Sequence, residues 1–185
     1  IMGLLEWSGQ ETQAHFESLD PNGTAVIGVS WAGESRSANW FDLAREYTER
    51  WHHQAQIRES AGAPMLYEAE LFAPLIDTFI RALPHTFRET DANEGTHVAV
   101  VITMPGAGEQ ALAPMRYSLV REPDRWALYR PIDGTAPVAS VTMDGDVAWR
   151  LFTKGIPKAE AIARSILEGD RRLGERVFDT VAIIV

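Results

Sequence analysis

The chain has 185 residues, 45% of them apolar and 23% charged, with a formal net charge of −9 and no cysteine. This suits a soluble chain with a real core, in one large domain or two small ones, and excludes disulfides, thiolate metal sites and thiol nucleophiles. With arginines standing singly or in pairs among acids, it also lacks the basic footprint of a nucleic-acid or anionic-lipid binder.

Up to residue 90 the periodicity is helical. Leu4, Trp7, Ala14 and Phe16 mark a first helix closing before the turn "DPNG" at 20–23. A loop, "TAVIGVSWAGESRSA", follows and carries Trp31. Asn39 is the expected N-cap of a second helix from Trp40 to about Ala61, closed by Gly62 and Pro64. Its apolar stripe is Trp40, Leu43, Ala44, Tyr47 and Trp51. The third run is Leu71, Phe72, Leu75, Ile76, Phe79, Ile80 and Leu83 at three-four spacing, with Pro74 in the first turn and Pro84 at the end.

After "ETDANEGT" the rhythm changes to period two. "HVAVVITM" (97–104), "MRYSLV" (115–120), "RWALYR" (125–130) and "ASVTMD" (139–144) read as strands, with "REPDR" as a reversal between two of them. "DGDVAWRLFTKG" reads as a short helix and Pro157 opens another. "ILEGD" reads as a last strand and "RRLGERVFDTVAIIV" as a terminal helix. The expected fold class is α+β, with a helical domain over 1–90 and a small α/β domain over 91–185. No apolar run reaches the roughly 18 residues of a membrane span. The opening "IMGLLEWSGQE" has no basic flank and carries Glu6 and Glu11, unlike a secretory signal. A cytoplasmic location is the expectation.

Within "EYTERWHHQAQIR" (46–58), Glu49 and His53 stand four apart, within about 40° of each other on a helix. A carboxylate and an imidazole in that register can fill two positions of a divalent metal, but a site needs a third protein ligand. A solvated polar face, with Asp42, Glu46, Gln56 and Ser60, accounts for the same spacing. His52 lies about 100° from His53, so the two rings are not expected to share an ion. His15 and His85 are candidate third ligands from other elements, each also readable as an ordinary surface histidine. His97 opens a strand without an evident partner.

These residues carry a resemblance. "REYTERWHHQAQIRESAG" resembles the Glu-x-Trp-x-His motif of the DinB-like helical bundle in the mycothiol-dependent maleylpyruvate isomerase family. "LIDTFIRALPHTFRETD" fits that family's helix before its domain break. "VTMDGDVAWRLFTKGIPKAEAIARSILEGDRRLGERVFDTVAII" is similar to its sterol-carrier-like C-terminal domain. The resemblance implies Glu49 and His53 as metal ligands, most plainly of Zn2+, with mycothiol as cosubstrate and an isomerase or thiol-transferase reaction on a small electrophile such as maleylpyruvate. Gln56 stands where that family has an aspartate. Its Cys-Pro-Gly-Trp-like stretch and following histidine are absent, so the bundle is incomplete here and the chain is expected to be a fragment; oligomerisation is open. Arg150 in "AWRLF" is a candidate for orienting an acidic substrate, and equally an ordinary surface arginine. Arg116, Arg121, Arg125 and Arg130 offer no better claim.

A second reading is a non-catalytic small-molecule or lipid-binding module that has lost the metal site. Val98, Val100, Ile102, Leu119 and Leu128 would line its cavity, or simply fill a core.

Overall fold

In the computed structural model, which describes residues 1–104, 113–132 and 134–183, the period-two segments form one sheet. Its strands are β1 (His97–Thr103), β2 (Met115–Arg121), β3 (Trp126–Tyr129), β4 (Ala139–Asp144) and β5 (Ile166–Gly169), in the order β3-β2-β1-β4-β5. β1 and β4 run parallel, and the other neighbours are antiparallel. The register places Val98 beside Leu119 and Ala139, and Val100 beside Tyr117 and Val141, so one face of the three central strands is continuously apolar and buried. At Gly169, φ is +78°, and a Cβ there would overlap the Val138 carbonyl, so glycine is required where β5 meets the entry to β4.

The helices are α1 (Met2–Ser18), α2 (Asn39–Ser60), α3 (Ala69–Phe79), α4 (Leu83–Phe87), α5 (Gly145–Phe152), α6 (Lys158–Ala163) and α7 (Arg171–Val177). A 3-10 turn at Ile80–Ala82 joins α3 to α4, so the long apolar run is two helices with a tight link. Asp144 caps α5 by accepting from the Asp146 amide at 2.8 Å, and Asp170 caps α7 by accepting from the Leu173 amide at 3.1 Å. One cluster of buried side chains extends from Val29 to Ala182, joining Trp51, Phe72 and Phe79 to Trp149, Phe152 and the sheet. The class is therefore α+β. Among the described residues no helix is long and apolar enough to cross a membrane.

Several expectations need correction. The DinB-like bundle over 1–90 is not confirmed: α1 is a helix as predicted, but none of its residues is buried, and Leu4 and Trp7 are exposed. On α2 the buried face is Phe41, Arg45, Thr48, Trp51 and Ala55, with Trp40 and Leu43 outside it. That face is turned by about one residue because Arg45 is buried with its charge satisfied by Asp42 and Glu46 at 2.8 and 2.9 Å. Asn39 does not cap α2; Ala38 holds that place, and the Asn39 side chain donates to the Asp20 carbonyl at 2.8 Å. The terminal helix stops at Val177. Beyond it the Ala182 amide donates to the Phe152 carbonyl at 2.9 Å, and residues 184–185 of the predicted helix lie outside the described ones.

Candidate functional site

The α2 polar face is where the sequence concentrates histidines. Trp51 packs between Phe72 and Trp149, with ring centroids at 5.5 and 5.3 Å. His52, next along, sits edge-on to Trp149 at 6.1 Å and stacks on His53 at 5.7 Å with an interplanar angle of 15°. The Gln56 amide links the two imidazoles, 3.0 Å from His53 Nδ1 and 3.3 Å from His52 Nε2. Burial lowers the His52 pKa from its ordinary value; a neighbouring His53 charge acts the same way, and Glu49 opposes both. Glu49 has one carboxylate oxygen buried without a hydrogen-bond partner.

Among the described residues no third ligand joins this pair. Among the described residues there is no group of three or more His, Cys, Asp or Glu side chains able to hold a metal ion. His15 neighbours Phe16 on the exposed α1, with ring centroids 6.0 Å apart. His85 lies against Gly33, and His97 is buried with Nδ1 3.2 Å from the Thr135 carbonyl. This overturns the reading as a metal-binding, zinc- and mycothiol-dependent isomerase or transferase, because the described residues do not assemble the ligand set that chemistry requires.

Arg150 anchors a polar joint between α2 and α5. Its guanidinium pairs with Glu59 at 2.9 Å and with Asp146 at 2.9 Å, and lies 4.4 Å from the Trp149 ring centroid. Asp146 also accepts from Tyr67 Oη at 2.6 Å and Trp149 Nε1 at 3.1 Å, and pairs with Arg164 at 3.1 Å. Burial works to raise the Asp146 pKa, but the Tyr67 hydroxyl and the Arg150 and Arg164 guanidiniums outweigh it and hold the carboxyl below its ordinary value. Burial, with the bond to Asp146, pushes the Tyr67 phenol up to about 12. Every charge at this joint is answered by another, which is the pattern of a structural network.

Among the described residues, the inner face of the sheet is filled by side chains. Val98, Val100, Ile102 and Leu119 are fully buried in the core, and Leu128 packs against it, so these side chains fill space among themselves. An open space does exist between α1 and α2. It has a volume of about 440 Å³, with Phe16, Leu43 and Tyr47 as its apolar wall and Glu17, Glu46 and Arg50 around it. Leu43, Glu46, Tyr47 and Arg50 follow three-four spacing and share one face of α2, while Thr12 and Phe16 are the half-buried residues of α1, four apart. The Tyr47 hydroxyl donates to the Leu71 carbonyl at 2.6 Å, which fixes the ring, and burial raises its pKa. The sequence does signal this wall: α2 carries apolar residues on two faces, more than a single core contact needs.

No known family profile matches the chain, so membership in the maleylpyruvate isomerase family finds no support. No curated protein matches it either. Solved structures give remote likenesses, among them three sterol carrier proteins. Sterol carrier protein 2 like 2 from Aedes aegypti is 11% identical with a TM-score of 0.44, over 62% of this chain and 100% of that one. The sterol carrier protein domain 2 of Helicoverpa armigera is 11% identical with a TM-score of 0.41, over 56% and 83%. Apo sterol carrier protein 2 from Yarrowia lipolytica is 10% identical with a TM-score of 0.36, over 85% and 96%.

Proposed function

We propose that this chain is a non-catalytic binding module for a small amphipathic molecule, which lies in the groove between α1 and α2. The observation that carries the reading is the groove itself: about 440 Å³, walled by Phe16, Leu43 and Tyr47, in a molecule whose sheet interior is filled. The volume lies in the range of small-ligand sites, roughly 300–1,000 Å³. Covering the groove removes apolar surface from water, which supplies the driving force without a directed bond. The charges stand around the groove, where a ligand's polar end can stay wet.

The test is saturable binding of a neutral apolar fluorophore, N-phenyl-1-naphthylamine. It should bind one per chain, ignore chelators, and weaken about tenfold or more in Leu43→Ser and Phe16→Ser. Emission that rises without saturation, or that is unchanged in both variants, would remove the groove from consideration.

A further inference from the structure

The charges around the α1–α2 groove are unequal, and the inequality selects a ligand class. Glu17 and Glu46 face it against one arginine, Arg50. Glu46 is not cancelled by its own partner, because the single Arg45 guanidinium is shared between Asp42 at 2.8 Å and Glu46 at 2.9 Å, leaving one negative charge over. Helix α1 adds Glu6 and Glu11 to Glu17 and has neither lysine nor arginine. The Gln13 side-chain amide donates to Glu17 at 2.8 Å, which holds that carboxylate in place without removing its charge. The whole chain, at −9, adds to the same field.

The apolar wall fits the same class. Phe16 and Tyr47 bring two aromatic rings to the groove, and the Tyr47 ring is fixed by its hydroxyl. Alkylated ammonium groups are attracted to aromatic faces and keep an apolar surface that a carboxylate or phosphate lacks. An anionic head would meet Arg50 but also Glu17 and Glu46. A cationic head meets two carboxylates and two rings. We infer that the groove takes an amphipathic organic cation of the alkylammonium class in preference to an anion of equal chain length; this rests on the groove being the binding site.

The experiment is calorimetric titration of the whole chain with decyltrimethylammonium and with decanoate, each below its micelle concentration. The wild type should bind the cation about tenfold more tightly than the anion, since opposite charges about 4 Å apart in water contribute on that order. Glu17→Gln should narrow the preference about threefold to fivefold, and Leu43→Ser should weaken both ligands together. Raising salt should shrink the preference and leave the apolar part intact. Decanoate binding as tightly as the cation, or a preference unchanged in Glu17→Gln, overturns the cation class while leaving the groove as a site. Failure of both ligands to bind the wild type overturns the groove itself.

Discussion

Helices α1 and α5 start from similar material. Each carries large apolar residues and a tryptophan, yet α5 buries six of its eight residues and α1 buries none of its seventeen. The difference lies in what each helix meets. Helix α5 follows β4 directly, is capped by Asp144, and is laid onto the apolar face of the sheet against α3. Helix α1 has no side-chain cap and carries Gly9 in its interior, a cost of about 1 kcal/mol relative to alanine. Apolar content alone does not make a core residue. Position against a second layer does, and where that layer is missing the same residues become a surface for something else.

The largest effect separating the two regions should come from Phe152→Ala. Phe152 is fully buried at the end of α5 and packs edge-on against Phe79 at 6.2 Å. Truncation should cost about 3–5 kcal/mol in urea unfolding. A cost under 1 kcal/mol would mean that the α3–α5 packing is loose and that the contrast with α1 is only one of degree.

Asp146→Ala tests the polar side of the same helix. It removes the acceptor for Tyr67 and Trp149 and the partner of Arg150 and Arg164, and should cost about 2–3 kcal/mol near neutral pH. The sign with pH follows from the lowered pKa. The contribution is full above the unfolded value, about 4, and is lost as pH falls through the folded value. The deficit of Asp146→Ala should stay constant from about pH 5 to 7 and narrow below about pH 4. A deficit that widens on acidification would show that the ion pairs do not set it.

Tyr67→Phe sharpens this point at smaller scale. It removes one hydroxyl from the joint and should cost about 1 kcal/mol. The chain has four tyrosines, and the absorbance step of Tyr67 near pH 12 should vanish in the variant. Because its folded pKa is raised above the usual value near 10, the stabilising contribution of Tyr67 is complete below about pH 10 and fades as pH rises toward 12.

What the sequence disclosed follows the same division. Strand β4 occupies the six predicted residues, because Ala139, Val141 and Met143 alternate with polar neighbours over a sheet buried on that face. The change from helices to strands between α4 and β1, and the short helix opening within "MDGD", were legible for the same reason: local pattern and tertiary demand agree there. The face of α2 was not. Arg45 is buried through its carboxylate partners, which hydropathy cannot anticipate, and Leu43 is released to the groove. The end of α7 was lost because "VAIIV" suits a strand or a helix equally well by composition. Glu49 and His53 do share the α2 polar face, but whether a third ligand meets them is a fact of three dimensions that spacing along one helix does not contain. Phe16 marks the first helix and Leu43 belongs to the apolar stripe of the second, but apolar pattern shows which side of a helix is greasy, not what covers it.

The smallest effect is expected at the outer end of α1, and it bears directly on the comparison. Leu4 and Trp7 stand one turn apart, 65% and 57% exposed, and neither lines the α1–α2 groove. Replacing both with serine should shift the urea midpoint by no more than about 0.5 kcal/mol equivalent, because no packed contact is removed. Trp7 should also contribute solvent-exposed emission, so its loss should move the mean tryptophan emission to the blue. A destabilisation of about 2 kcal/mol would require these side chains to be covered in solution, and α1 would then belong with α5 as a packed element. An unchanged midpoint with the blue shift leaves α1 as a loosely held helix whose half-buried side chains are Thr12 and Phe16 on its groove side. In that case a ligand seated in the groove should order α1, and protection of its amides from exchange should rise on binding while the sheet amides stay as they were.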